Sequence, residues 1–421
     1  MGLRPLRRFV VLSLCGISLA FFSSVPAQTS AKAKPRTQVS PLWGDLEAGP
    51  FRVGFQVLFR MDPSRSYYPA NATGANDAAV INGRPIRIMI WYPAATLDRE
   101  SAGGLPMRFG DYVNIQTEDS RFIEFNQMLR RWDRQIANEQ FSGPNAGALA
   151  EELMGTRVAA FRNAPSARGT FPIVLHSLGG NDLQQESTVL WEYLASYGYV
   201  VVTVPQLGFD TNKPHLSFAL PDMRLQQRDL EFALTQVSNL PSAAARRIAV
   251  MGHSLGGPVA VLMAAHKKSV VAIVSLDGVL NSTDAIAILK AAKLNPTSVR
   301  AALLNMYRTN DYPSDFRLLD SLNQSDRYDL AFSKCSHYDF QNWPLYAVLT
   351  KTEDARGARI RDAATGQKIY LTVCRAVRHF LDMIVKKRSS SARWFRGNWR
   401  SGLAGNDFVT FHLRERVKTH D

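Results

Sequence analysis

The chain has 421 residues, 46% apolar and 20% charged, with 27 glycines, 21 prolines, three cysteines and a formal charge of +14. These proportions exclude collagen-like, low-complexity and disulfide-scaffold classes, each of which needs a strong excess of particular residues. The length allows one large α/β core or two to three domains, and the positive charge bears on association and solubility without naming a partner.

The N-terminal stretch reads as a targeting segment. Arg4, Arg7 and Arg8 precede the apolar run Phe9 to Phe22, and Val25-Pro26-Ala27 resembles a small-residue cleavage site. The run is too short for a spanning helix, which needs about 20 apolar residues. Residues 1–27 are therefore expected to be a signal peptide cleaved near Ala27, and the mature chain to be periplasmic or secreted. Cleavage removes three arginines and Cys15, which lowers the formal charge from +14 to +11. Residues 28–49, rich in Ala, Lys, Pro and Thr where they begin, read as a flexible leader.

From there the periodicity predicts strands over Phe51 to Phe59 and Ile86 to Tyr92, with a hairpin loop over Pro63 to Gly83. Residues 103–169 change character, with helical spacing through Arg121 to Ile136 and Ala148 to Phe161. This insertion is a candidate lid over a site, or a helical excursion packed on the core. An alternation follows: strand Phe171 to Leu175, helix Leu183 to Tyr197, strand Tyr199 to Val204, helix Arg224 to Val237, strand Ile248 to Met251, helix Leu255 to Ala265 and strand Val270 to Leu276. Ala301 to Tyr307 and Tyr328 to Ser333 continue the strands, and Gln367 to Val385 is a late helix. Near-continuous apolar strands alternating with helices predict an α/β fold, with a mostly parallel central sheet covered on both faces. In such sheets chemistry is sought beyond the carboxyl ends of the strands.

A core domain over residues 50–388 leaves 389–421 as a basic C-terminal tail. Lys386 to Arg400 holds six cationic residues, no acid, and Trp394, Phe395 and Trp399. It reads as a patch for an anionic envelope surface or as a solvated tail whose aromatics tuck onto the domain. Export removes nucleic acid from reach, so none is expected as a partner. Cys335 and Cys374 are either a disulfide pair in an oxidising compartment or two buried free thiols. No CxxC, HExxH or Cys/His cluster with zinc spacing appears, so no metal is expected.

Ile248 to Met251 runs into Gly252-His253-Ser254-Leu255-Gly256-Gly257, a G-x-S-x-G sequence between an apolar strand and a helix. Glycines two residues before and after the serine suit a tight strand-to-helix turn that thrusts the hydroxyl above the sheet. A serine hydroxyl needs a base, supplied in this chain order by a histidine after the nucleophile. His176 and His215 come too early, His253, His266 and His379 sit inside the elbow or in helical patterns, and His412 and His420 lie in the tail. His337, following the strand that ends near Ser333, remains as the candidate base. The acid that orients it is expected at Asp277, which ends the strand Val270 to Leu276, with Asp311 after the next strand as the alternative. The N–H of Leu255 and the N–H of Leu178, in the loop His176-Ser177-Leu178-Gly179-Gly180, are the expected oxyanion donors.

The elbow GHSLGG, the Ser-Leu-Asp-Gly turn at Asp277, the Ser-His-Tyr-Asp-Phe loop at His337, the segment Arg84 to Ala94 and the His176-Ser177-Leu178-Gly179 loop together resemble bacterial relatives of platelet-activating factor acetylhydrolase, dienelactone-hydrolase-like serine esterases of the α/β-hydrolase superfamily. The resemblance covers roughly residues 50–385. It implies an acid on the strand directly after the nucleophile helix, which favours Asp277 over Asp311. It further implies hydrolysis of small-molecule or lipid carboxylic esters with modest acyl groups, without metal or cofactor. Ser177 stands where the family usually has glycine. Acyl transfer by the same residues, and a catalytically silent envelope-binding fold, are the alternative functional readings.

Overall fold

Largely apolar runs, buried on both faces, become the parallel centre of the molecule. The computed structural model describes residues 39–67, 81–95, 104–208, 216–310, 314–353, 359–395 and 408–417. Its strands in chain order are β1 (Arg52–Tyr67), β2 (Ile81–Ala94), β3 (Leu105–Arg108), β4 (Arg157–Arg162), β5 (Phe171–Ser177), β6 (Val200–Thr203), β7 (Ala243–His253), β8 (Val270–Leu276), β9 (Ala302–Arg308), β10 (Arg327–Phe332) and β11 (Val409–Arg414). Among the described residues they form one eleven-stranded sheet ordered β11-β10-β9-β8-β7-β5-β6-β2-β1-β4-β3. Pairing is parallel from β10 to β6, and β11, β2 and β1 join it antiparallel.

The helices are α1 (Gly110–Val113), α2 (Ile123–Asp133), α3 (Gln135–Gln140) and α4 (Ala146–Gly155) in the insertion, then α5 (Thr188–Ser196), α6 (Leu220–Ser238), α7 (Gly256–His266), α8 (Thr283–Ala291), α9 (Arg317–Ser321), α10 (Trp343–Thr350), α11 (Ala363–Ile384) and α12 (Ser389–Arg393). Side chains alternate across a strand, so one sheet yields two cores. Val174, Val201, Met251, Val274 and Leu304 pack with Trp191 of α5, Tyr346 of α10 and Phe380 of α11. Ile173, Val202, Val250, Ile273 and Leu303 face Leu230 and Leu234 of α6 and Val259 and Leu262 of α7. Helix α7 is buried from Gly256 to Ala264, as an all-round apolar helix must be.

The structure corrects several sequence expectations. Residues 39–49 are not a free leader: Leu42 and Trp43 are each 1% exposed, and Trp43 Nε1 donates to Glu192 at 2.7 Å. Strand β1 continues to Tyr67 and β2 starts at Ile81, into the stretch expected to be hairpin loop. Arg157–Arg162, expected to be helical, is strand β4 beside β1. The helix expected from Leu183 begins only at Thr188. The C-terminal segment, read as outside the core domain, returns to the sheet as β11 on β10; Phe395 is buried and the Trp394 ring stacks on His379, in line with the reading whose aromatics tuck onto the domain. Cys335 and Cys374 are separate buried thiols and not a bonded pair; Cys335 Sγ donates to the carbonyl of Ser336 at 3.3 Å. The signal peptide, residues 28–38, Asp311, His215 and His420 lie outside the described residues.

Glu192 fixes the N-terminal segment to this core. It is 1% exposed and accepts hydrogen bonds from Trp43 Nε1, from the Tyr112 hydroxyl and from the Ala159 amide. Burial outweighs these donors and pushes its carboxyl up to about 7 from 4.5. A raised carboxyl favours the folded state fully below the unfolded value, and the advantage is lost as pH rises through the folded one. Glu192 therefore makes the protein less stable at pH 8 than at pH 5, by on the order of 3 kcal/mol. Glu192→Gln should narrow the difference in unfolding midpoint between these two pH values; an undiminished difference would show that Glu192 is not its source.

Candidate active site

The strand-to-helix turn after β7 is shaped by what its glycines lack. A Cβ on Gly252 would sit 2.1 Å from the Gly256 carbonyl oxygen, one on Gly256 would sit 2.1 Å from that of Ser177, and one on Gly257 would sit 2.1 Å from that of Gly278. The chain thus crosses itself, β5 and the turn after β8 at main-chain contact. Ser254 occupies the apex with φ +49°, a left-handed conformation that costs a non-glycine residue of order 1–3 kcal/mol and persists only where its surroundings impose it. Its N–H donates to the Leu276 carbonyl at 3.3 Å, and Leu255 caps α7, where backbone N–H groups have no intrahelical partner.

Asp277 follows β8 directly, also at positive φ (+43°), with its N–H on the Met306 carbonyl at 2.8 Å. Its Oδ2 lies 2.5 Å from His337 Nδ1 and accepts from Arg308 Nε at 3.0 Å, while Oδ1 accepts from the Arg308 amide at 3.3 Å. Burial alone would raise this carboxyl; the hydrogen bond and charge of His337 and the charge of Arg308 outweigh it and hold the group below the usual carboxylate range. Asp277 is thus kept ionised against the imidazole.

His337 opens a short 3-10 turn over His337–Phe340 that begins with a reciprocal cap: Ser336 accepts through its side chain and the Asp339 side chain accepts from the Ser336 amide. Asp339 is 0% exposed and paired with Arg361. One residue earlier, Cys335 exchanges two hydrogen bonds with the Asn310 side chain, at 3.0 and 3.2 Å. The imidazole is therefore held by its loop as well as by Asp277.

Ser254, Leu255 and His337 line one cavity of about 650 Å³. Trp132, Gln135 and Glu139 of the insertion form one wall, residues 180–183 and 216–218 another, and Tyr338 stands beside the imidazole. Leu178, expected to offer an oxyanion amide, is 2% exposed and is not among the lining residues. Of the other described histidines, His176 Nδ1 accepts from Trp191 Nε1 at 2.7 Å, His266 turns to the Leu262 carbonyl, the His379 ring stacks on Trp394, and His412 is exposed on β11. His253 does not point away from the site. Its ring lies 4.6 Å from that of His337, and its bond to Asp182 brings in a residue that the sequence reading passed over. The one local hint was an aspartate three residues past Gly179 in a glycine-containing loop. Among the described residues no cluster of three or more His, Cys, Asp or Glu could hold a metal ion.

Comparison with known proteins bears on the fold. The profile of the alpha/beta hydrolase family matches residues 173–382. Cutinase 2 of Thermobifida cellulosilytica is 34% identical over 118 residues, which is 27% of this chain and 41% of that protein, so the chain spans less than half the length of this relative. A ferulic acid esterase from Streptomyces cinnamoneus has a similar structure, with a TM-score of 0.57 and 20% identity over 82% of this chain and 93% of that one. The profile match, which spans just under half of the chain, and the structural likeness identify the fold as that of the α/β hydrolases.

The contact between Gly257 and Gly278 ties the nucleophile helix to the turn that carries Asp277. Gly257→Ala should therefore lower unfolding stability by about 1–3 kcal/mol through overpacking. A chemical denaturation midpoint equal to the parent would show that the two turns are not in main-chain contact.

Proposed function

We propose that this chain is an exported serine ester hydrolase working through Ser254, His337 and Asp277 and an acyl-enzyme intermediate. The observation that carries the reading is the Asp277-bonded imidazole sharing a cavity with a serine on a strained elbow. Ser254 Oγ attacks the ester carbonyl as His337 Nε2 takes its proton, and Asp277 stabilises the imidazolium that forms. The negative charge on the tetrahedral oxygen falls to the Leu255 amide and to an amide of the loop after β5, for which Leu178 is our nominee. His337 then protonates the leaving alcohol, and water activated by the same imidazole releases the acid. The cutinase and ferulic acid esterase likenesses, and the resemblance to bacterial platelet-activating factor acetylhydrolase relatives, favour a small-molecule or lipid carboxylic ester as substrate.

Ser254→Ala should lower turnover of a p-nitrophenyl short-chain ester by about 10⁴-fold or more, with the unfolding midpoint nearly unchanged. Full activity in that variant would end the nucleophile assignment.

Because Trp132 belongs to the cavity wall supplied by the insertion, Trp132→Ala should change the preference among p-nitrophenyl esters of different acyl length more than it changes turnover of the acetate. An unaltered preference would mean that the insertion does not touch the acyl group.

A further inference from the structure

A second histidine–aspartate pair lies behind the first. Asp182 is 8% exposed and His253 is 1% exposed, and the proposed mechanism uses neither. His253 Nε2 is 3.2 Å from the main-chain oxygen of His337, and Nδ1 is 2.7 Å from Asp182 Oδ2. A carbonyl oxygen only accepts, so Nε2 carries a proton. Asp182 Oδ2 also accepts the Gly179 N–H at 2.6 Å, and an ionised carboxylate facing Nδ1 requires a proton there as well. The geometry is that of an imidazolium bonded to a carboxylate. Desolvation opposes both charges, yet the mutual attraction and hydrogen bonds take Asp182 down to about 2 and raise His253.

Three loops meet at this pair. Asp182 closes the turn after β5: its own N–H donates to the Gly179 carbonyl, while its carboxylate takes the Gly179 amide. That turn lies against the nucleophile, since a Cβ on Gly179 would come within 2.9 Å of Ser254 Cβ. His253 is the residue before Ser254, and its ring hydrogen-bonds the main chain of His337. Gln341, four residues past His337, donates from its side-chain amide to Glu186 Oε2 at 3.2 Å, with that nitrogen 3.1 Å from His253 Nδ1. A buried ion pair is costly to desolvate, and an apolar pair of the same volume often serves stability as well or better. Here the pair does what apolar side chains cannot, bonding directionally to the main chains of both Gly179 and His337.

We propose that Asp182 and His253 are positioning residues, a buried brace that fixes the loop bearing the oxyanion donor and the loop bearing the base against the nucleophile turn. The proposal rests on the hydrolase reading above and adds to it two residues that touch no reacting atom. The brace acts through the placement of His337 and of the 178–182 turn, so its loss slows chemistry and leaves substrate affinity largely intact.

The test is labelling of the full-length protein by a fluorophosphonate probe, followed as both stoichiometry and second-order rate, with kcat and KM for a p-nitrophenyl short-chain ester alongside. Asp182→Ala is expected to label to one probe per chain at a rate at least about 30-fold below the parent, with kcat falling in parallel and KM changing less than about threefold. Asp182→Asn is expected to recover to within about fivefold of the parent, because its amide oxygen can stand in the place of Oδ2 and accept both the Gly179 N–H and the His253 Nδ1–H. Parent-like labelling of Asp182→Ala, an equal loss in Asp182→Asn, or a loss confined to KM would overturn the brace. If Asp182→Ala labels substoichiometrically, His253→Gln decides: labelling at least about tenfold slower supports the brace, and an unchanged rate overturns it. A parent protein that fails to label at Ser254 would sink the hydrolase reading and the brace together, whereas a labelled parent with an indifferent Asp182→Ala variant sinks the brace alone.

Discussion

Main-chain contact without intervening side chains is the constraint on which this site rests. At Gly252, Gly256 and Gly257 the nucleophile turn touches itself, the end of β5 and the turn after β8, and no Cβ fits at any of the three positions. Side chains would allow these turns to slide by an ångström on soft rotamers; bare backbone does not. The positions forced into left-handed conformations follow from it: Ser254 at φ +49°, Asp277 at +43° and the β-branched Val279 at +51°. Strain of this kind persists only where surrounding packing over-determines it, and here it is imposed by the buried second half of β7, from Ile248 to His253, by β8 and by α7.

Electrostatics completes what the backbone begins. Asp277 would be raised by its burial, but two donors from Arg308 and one from His337 keep it ionised. Asp182 and His253 repeat the pattern one layer deeper. In both pairs an acid next to a tight turn hydrogen-bonds a histidine from another loop, so these bonds set the spacing of segments that are remote in sequence. Screening by salt affects such buried pairs far less than surface ones.

The parts of this arrangement legible in the sequence are those written in short windows. The central strands announced themselves as largely apolar runs, the elbow as glycines flanking Ser254, and Asp277 and His337 by their places after the strands β8 and β10. The misread parts depend on distant partners. Arg-Val-Ala-Ala-Phe-Arg at 157–162 has the composition of a helix end, and becomes β4 because β1 lies beside it. Val409–Arg414 is almost wholly exposed, so no burial pattern marked it as a strand; its place comes from backbone pairing with β10. Asp182 escaped notice because its meaning lies with His253, 71 positions later.

The insertion shows how the same logic shapes the cavity. Arg87 of β2 is 0% exposed, and its guanidinium donates to Asp133 at the end of α2, to Gln184 in the loop after β5 and to Asn126 within α2. Gln185 returns a hydrogen bond to the Asp133 carbonyl at 2.8 Å. Swinging α2 outward would take Asp133 away from a guanidinium that has no access to water, and removing one partner of a buried ion pair costs about 3–5 kcal/mol. That cost weighs against a freely opening cover and in favour of a fixed wall. Trp132 immediately precedes Asp133, so the residue that anchors the wall also sets the position of an aromatic side chain that lines the same cavity as Ser254.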